Sequence, residues 1–97
     1  MIDAYILQDC YYSEQAEIIL KKNKIKFTKY NVPQDEKIKN EIKKINKMNT
    51  FPQILFKKDE SSKIEKIGGY TELCEYIEIK NNIKENKLNK FFLKYIL

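Results

Sequence analysis

Residues 4–32 constrain the fold more than any other part of the chain, because they read as strand, helix and strand in that order. AYILQ, residues 4–8, is a short apolar run of the kind that forms a buried strand. From Tyr12 the apolar positions Ala16, Ile19 and Leu20 recur at helical spacing, and Asn23 is a reasonable stop, which predicts about three turns of helix. IKFTKYNV, residues 25–32, is rich in β-branched and aromatic residues and ends at Pro33, as a strand leading into a turn would. Such a βαβ unit forces a right-handed crossover and a parallel strand pair.

The remainder extends that unit into a small α/β sandwich. Ile38, Ile42 and Ile45 mark one face of a second helix with Asp35 as its cap. FPQILFK, residues 51–57, predicts a strand, and KIEKI, residues 63–67, its hairpin partner across the polar DESS segment. After Gly68 and Gly69, the positions Tyr70, Leu73, Cys74 and Ile77 start a third helix. Leu88, Phe91, Phe92, Tyr95 and Ile96 form one stripe and predict an extra C-terminal helix over residues 84–97. The expected order is β-α-β-α-β-β-α plus that last helix, in one domain spanning residues 1–97, with a four-stranded mixed sheet flanked by helices.

Composition narrows the chemistry. The chain has no histidine, so a zinc site or a cysteine–histidine nucleophile pair is not expected from it alone. Its two cysteines, Cys10 and Cys74, are far apart in sequence, which favours a reducing compartment over a disulfide framework. No apolar run approaches the roughly 18 residues of a membrane span, and MIDAYILQ lacks the basic flank of a secretion signal, so a cytoplasmic address without membrane contact is expected. The net charge is +5, carried by lysines that crowd in KKNKIKFTK, residues 21–29. This favours an anionic cofactor; without arginine for base readout, a nucleic acid partner is not expected. Most of these lysines read simply as solvated surface.

Three short motifs carry the functional signal. In DCYYSEQ, residues 9–15, Cys10 sits where a polar turn runs into a helix. At the N-cap its sulfur could accept from the amides of Tyr12 and Ser13 and feel the helix dipole, both of which favour a thiolate, whereas the neighbouring Asp9 opposes it. In TFPQIL, residues 50–55, a cis bond between Phe51 and Pro52 would turn the Phe51 amide and carbonyl toward an extended, peptide-like ligand. In GGYTEL, residues 68–73, the first amides of a helix, at Tyr70, Thr71 and Glu72, could hold a carboxylate. Each alone has a bland alternative: a packing cysteine, a structural proline, a strand-to-helix turn capped by Thr71.

Taken together, in this order and spacing, the motifs resemble the glutaredoxin pattern over about residues 3–79. The resemblance implies a thioredoxin-like fold, glutathione as cofactor, and reduction of glutathione mixed disulfides. It implies Cys10 as the nucleophile and Tyr12 as an aromatic wall. By the same carry-over, Phe51 and Pro52 align the cysteinyl part of glutathione, and the Tyr70, Thr71 and Glu72 turn receives its γ-glutamyl end. Ser13 stands where a resolving thiol could be, which predicts a monothiol cycle in a monomer acting on glutathionylated proteins. Leu7 occupies the family's usual lysine position and Tyr11 its usual proline; Lys39, Lys43 and Lys47 are candidates to restore the missing charge. Cys74, beside Leu73 and Ile77, reads as a small core residue. Two other readings compete: a glutathione-assisted [2Fe-2S] cluster shared by two chains, and a non-catalytic binding protein whose apolar tail meets a partner.

Overall fold

The computed structural model describes residues 1–57 and 64–86. The expected C-terminal stripe from Leu88 to Ile96 lies outside the described residues, as does the DESS segment between the hairpin strands.

Strand β1 (Ile2–Leu7) alternates, turning Ile2, Ala4 and Ile6 into the core. Helix α1 (Tyr11–Lys22) buries Ala16 and Leu20 and stops at Asn23, whose side chain donates to the Ile19 carbonyl at 2.8 Å. It returns the chain to β2 (Phe27–Val32), which runs parallel to β1 with Ile2 beside Phe27 and Leu7 beside Val32. Ile25, expected at the start of this strand, instead packs against the core just before it.

Helix α2 (Glu36–Asn46) begins at Asp35, whose carboxylate accepts from the Ile38 amide at 3.0 Å, and ends at Lys47 in the left-handed region. Strands β3 (Gln53–Lys57) and β4 (Ile64–Gly68) form the expected antiparallel hairpin, and α3 (Tyr70–Asn86) follows. The sheet order is β2-β1-β3-β4, so β1 is central, with a parallel neighbour on one side and antiparallel β3 on the other.

The two faces of the sheet are built differently. On one, Ile2, Ala4, Ile6 and Ile54 pack with Ala16 and Leu20 of α1 and with Leu73 and Ile77 of α3 in a single apolar cluster. Each large side chain fully buried there stabilises by about 1.5–3 kcal/mol. On the other, α2 is held by polar contacts: Asn46 donates to the fully buried Gln53 side chain at 2.9 Å, and Gln53 donates to the Met48 carbonyl at 3.2 Å. Tyr5 stacks on Tyr30 with centroids 4.6 Å apart, and burial pushes its phenol above the ordinary value although Asn46 hydrogen-bonds to it. The isoleucine stripe of α2 therefore does not seal this face: Ile45 is 76% exposed.

Candidate active site

The site starts where β1 ends. The Gln8 amide extends the parallel ladder by donating to the Val32 carbonyl at 2.8 Å, and Asp9 then takes a left-handed backbone conformation, φ 55°, that turns the chain into α1. Aspartate is among the few non-glycine residues that tolerate this region. Cys10 is the N-cap residue, its carbonyl accepting from the Glu14 amide at 3.0 Å, and it is partly exposed.

Its sulfur makes no capping hydrogen bond, contrary to the expectation that the Tyr12 and Ser13 amides would point at it. A thiol sulfur is a weak acceptor, so the first-turn amides gain little from it until it is ionised. Ser13 is fully buried, and its hydroxyl oxygen accepts from the Leu7 amide at 3.1 Å. The hydroxyl that stands in a resolving thiol's place thus ties the first turn of α1 to the end of β1.

The second motif ends where β3 begins, at Gln53, which pairs with Tyr5 of β1. The Phe51–Pro52 bond is cis. The third motif closes on the second: a Cβ at Gly69 would lie 3.7 Å from the Pro52 carbonyl oxygen. Gly68, at φ 129°, would drive a Cβ to 2.7 Å from the Glu72 side chain, so only glycine fits. Glu72 reaches back to accept from the Gly69 amide at 2.8 Å, half of a capping box. That contact fixes the start of α3, with Thr71 exposed in its first turn.

Aromatic rings link the two helix starts. Tyr11 and Tyr12 meet edge-on with centroids 5.3 Å apart, and Tyr12 lies 5.7 Å from Tyr70. Cys74 joins this cluster and is not the core residue expected from sequence: it is partly exposed beside Tyr70, and contact with its thiol holds the Tyr70 phenol above the ordinary value. The reason is helical phase. Leu73 and Ile77 point into the core, and Cys74, about 100° further round, turns toward the previous turn's Tyr70.

Residues 2–60 match the glutaredoxin family. The chain belongs to that family. Glutaredoxin 1 from Francisella tularensis, in complex with cacodylate, is 27% identical with a TM-score of 0.59, the match covering 84% of this chain and 95% of that one. A glutaredoxin from Brucella melitensis is 20% identical with the same TM-score of 0.59, over 88% and 85% of the two chains. A mutant of a thioredoxin-like protein shares the fold at 18% identity and a TM-score of 0.54, over 72% and 86%. No curated protein gives a significant sequence match. The family assigns this glutaredoxin to the thiol-disulfide oxidoreductases, and its sheet with flanking helices is thioredoxin-like.

Among the lysines that could replace a cation at Leu7, the structure sets Lys39 apart. Its side chain is only 16% exposed, pairs with Glu36 at 2.8 Å and donates to Gln34 at 3.2 Å, while Gln34 donates to the Gln8 carbonyl at 2.6 Å. Lys39 is thereby tied to the loop that carries Cys10. Lys43 and Lys47 make no ion pair among the described residues, and only the backbone carbonyl of Lys47 is engaged, accepting from Lys66 at 2.8 Å. Sequence reasoning missed Gln34 altogether. A glutamine after a proline carries no periodic or spacing signal, and its role exists only once α2 is docked.

Proposed function

We propose that this glutaredoxin reduces glutathione mixed disulfides through Cys10 alone. The observation that carries the reading is Cys10 itself: a partly exposed thiol at the first turn of α1, just past the end of β1, with a hydroxyl at position 13 already committed to Leu7. The Cys10 thiolate attacks the glutathionyl sulfur of a protein mixed disulfide; that S–S bond breaks, and the protein leaves as a thiolate that takes up a proton. A second glutathione thiolate then attacks the Cys10 mixed disulfide, freeing Cys10 and leaving as glutathione disulfide. In the net exchange one free glutathione is oxidised as the protein sulfur is reduced, the substrate's own glutathionyl group leaves in the glutathione disulfide, and no second protein thiol is needed.

The surroundings suit such a ligand. Phe51 and Pro52 lie where the cysteinyl portion would run, the Tyr70 and Thr71 amides open the start of α3 toward its γ-glutamyl carboxylate, and Tyr12 and Tyr70 wall the groove. Lys39 supplies the cation for the glycine carboxylate that Leu7 cannot. Glu72 contributes chiefly by holding the turn, since one of its oxygens already accepts from Gly69. A cytoplasmic monomer working against a glutathione pool fits this cycle.

One assay tests the scheme. Turnover of a glutathionylated peptide should be lost in Cys10→Ser and retained in Cys74→Ser, and Lys39→Ala should raise the KM for glutathione several-fold with kcat little changed, as loss of uniform binding does. Full activity in Cys10→Ser would end the proposal.

A further inference from the structure

Two surfaces flank the Cys10 turn, and the proposed cycle leaves Tyr11, Asp9 and Glu14 without a role. On one side are exposed rings: Tyr11 is 66% and Tyr12 57% accessible, and Tyr70 continues the row. On the other is an open cleft of about 540 Å³ whose walls include Leu7, Asp9, Glu14, Glu17 and Lys29.

The carboxylates of that cleft are not equivalent. Glu17 is matched by Lys21 and Lys29, each at 3.0 Å, and its carboxyl is held below the usual value chiefly by the hydrogen bond to Lys29. Asp9 and Glu14 are exposed and enter no ion pair among the described residues. Tyr11 and Glu14 are three residues apart on α1, so ring and carboxylate are neighbours on one face of its first turn. Rings and carboxylates therefore form one border past the sulfur, locally acidic in a chain of net charge +5.

Ammonium and guanidinium groups are attracted both by the faces of tyrosine rings and by uncompensated carboxylates, whereas an acidic segment would be repelled. We propose that this border receives a lysine or arginine flanking the modified cysteine of a protein substrate, so that the protein prefers glutathione mixed disulfides set in basic segments. The inference rests on the reading of Cys10 as the deglutathionylating nucleophile and adds the chemistry of its partner. Steering by exposed charges acts mainly on encounter, so the preference appears in kcat/KM and weakens with salt.

The experiment compares three substrates: two glutathionylated peptides that differ only in an arginine or a glutamate two residues from the modified cysteine, and an uncharged small-molecule mixed disulfide of glutathione. The wild-type protein should favour the arginine peptide roughly tenfold in kcat/KM at low ionic strength and lose most of that preference at high salt. The double variant Asp9→Asn with Glu14→Gln should abolish the preference, read as the ratio of the two peptides so that any general change in Cys10 reactivity, which the small disulfide reports, cancels. Equal wild-type rates on the two peptides would overturn the inference and leave the proposed function standing. A preference that survives the double variant would overturn the assignment to this border. Inactivity on all three substrates would sink the proposed function, and the inference with it.

Discussion

The two faces of the sheet differ in what holds them. The α1 and α3 face is apolar apart from the buried Ser13 hydroxyl, with Ala4, Ala16, Leu20, Ile54 and Leu73 fully buried, and it carries both helix starts, at Cys10 and at Tyr70. The α2 face buries Leu55 and Val32 apart from that apolar cluster, adds side-chain amides around Gln53 and the Tyr5–Tyr30 stack, and leaves Ile45 in solvent. Cys10 thus stands on the element with the stronger packing, and Lys39 stands on the element with the weaker. Directional hydrogen bonds contribute about 1 kcal/mol net each, less than one buried leucine, so α2 should open at lower cost than α1 or α3.

Mutations test that ordering, beginning with the largest effect. Leu20→Ala, at a fully buried position between α1 and the sheet, should cost about 2–5 kcal/mol in denaturant unfolding, since it removes buried surface and leaves a cavity. Asn46→Ala should cost about 1–3 kcal/mol because it strands the buried Gln53 amide oxygen. Its signature is local: amide exchange should quicken in α2 and at Met48 while α1 and α3 keep their protection. Uniform acceleration would mean that the faces are not energetically separable.

Glu17→Gln should cost least, below about 1 kcal/mol, because its pairs with Lys21 and Lys29 lie at the surface. The sign with pH is fixed. The folded-state pKa of Glu17 is lowered, so its contribution is present above the unfolded carboxylate value of about 4.3 and is lost as pH falls through the lower folded value. The stability gap between wild type and variant should therefore close on acidification. A gap that widens in acid would refute the assignment.

The sequence made the apolar face legible and the polar face not. Ile2, Ala4, Ile6, Leu20, Leu73 and Ile77 announce themselves by alternation or helical spacing, because burying apolar surface requires that periodicity. Asn46, Gln53 and Gln34 act through single hydrogen bonds between segments distant in the chain, and no spacing rule anticipates such partners. The same contrast holds within the site. Pro52 and the Gly68–Gly69 turn come together because each adjoins an end of the β3–β4 hairpin, and the starts of α1 and α3 meet through Tyr12 and Tyr70. The conformation of Asp9, the commitment of Ser13 to Leu7, the missing cap at sulfur and the pairing of Cys74 with Tyr70 depend on rotamers and helical phase, which a one-dimensional pattern leaves open.

The central claim is that one thiol completes the cycle, and it can be read directly by mass. The protein is incubated with glutathione disulfide, quenched by alkylation, weighed intact and mapped by peptide. The account predicts a single glutathione held on Cys10, with Cys74 recovered in its alkylated form. An internal disulfide joining Cys10 to Cys74, or glutathione found on Cys74 with Cys10 unmodified, would contradict it.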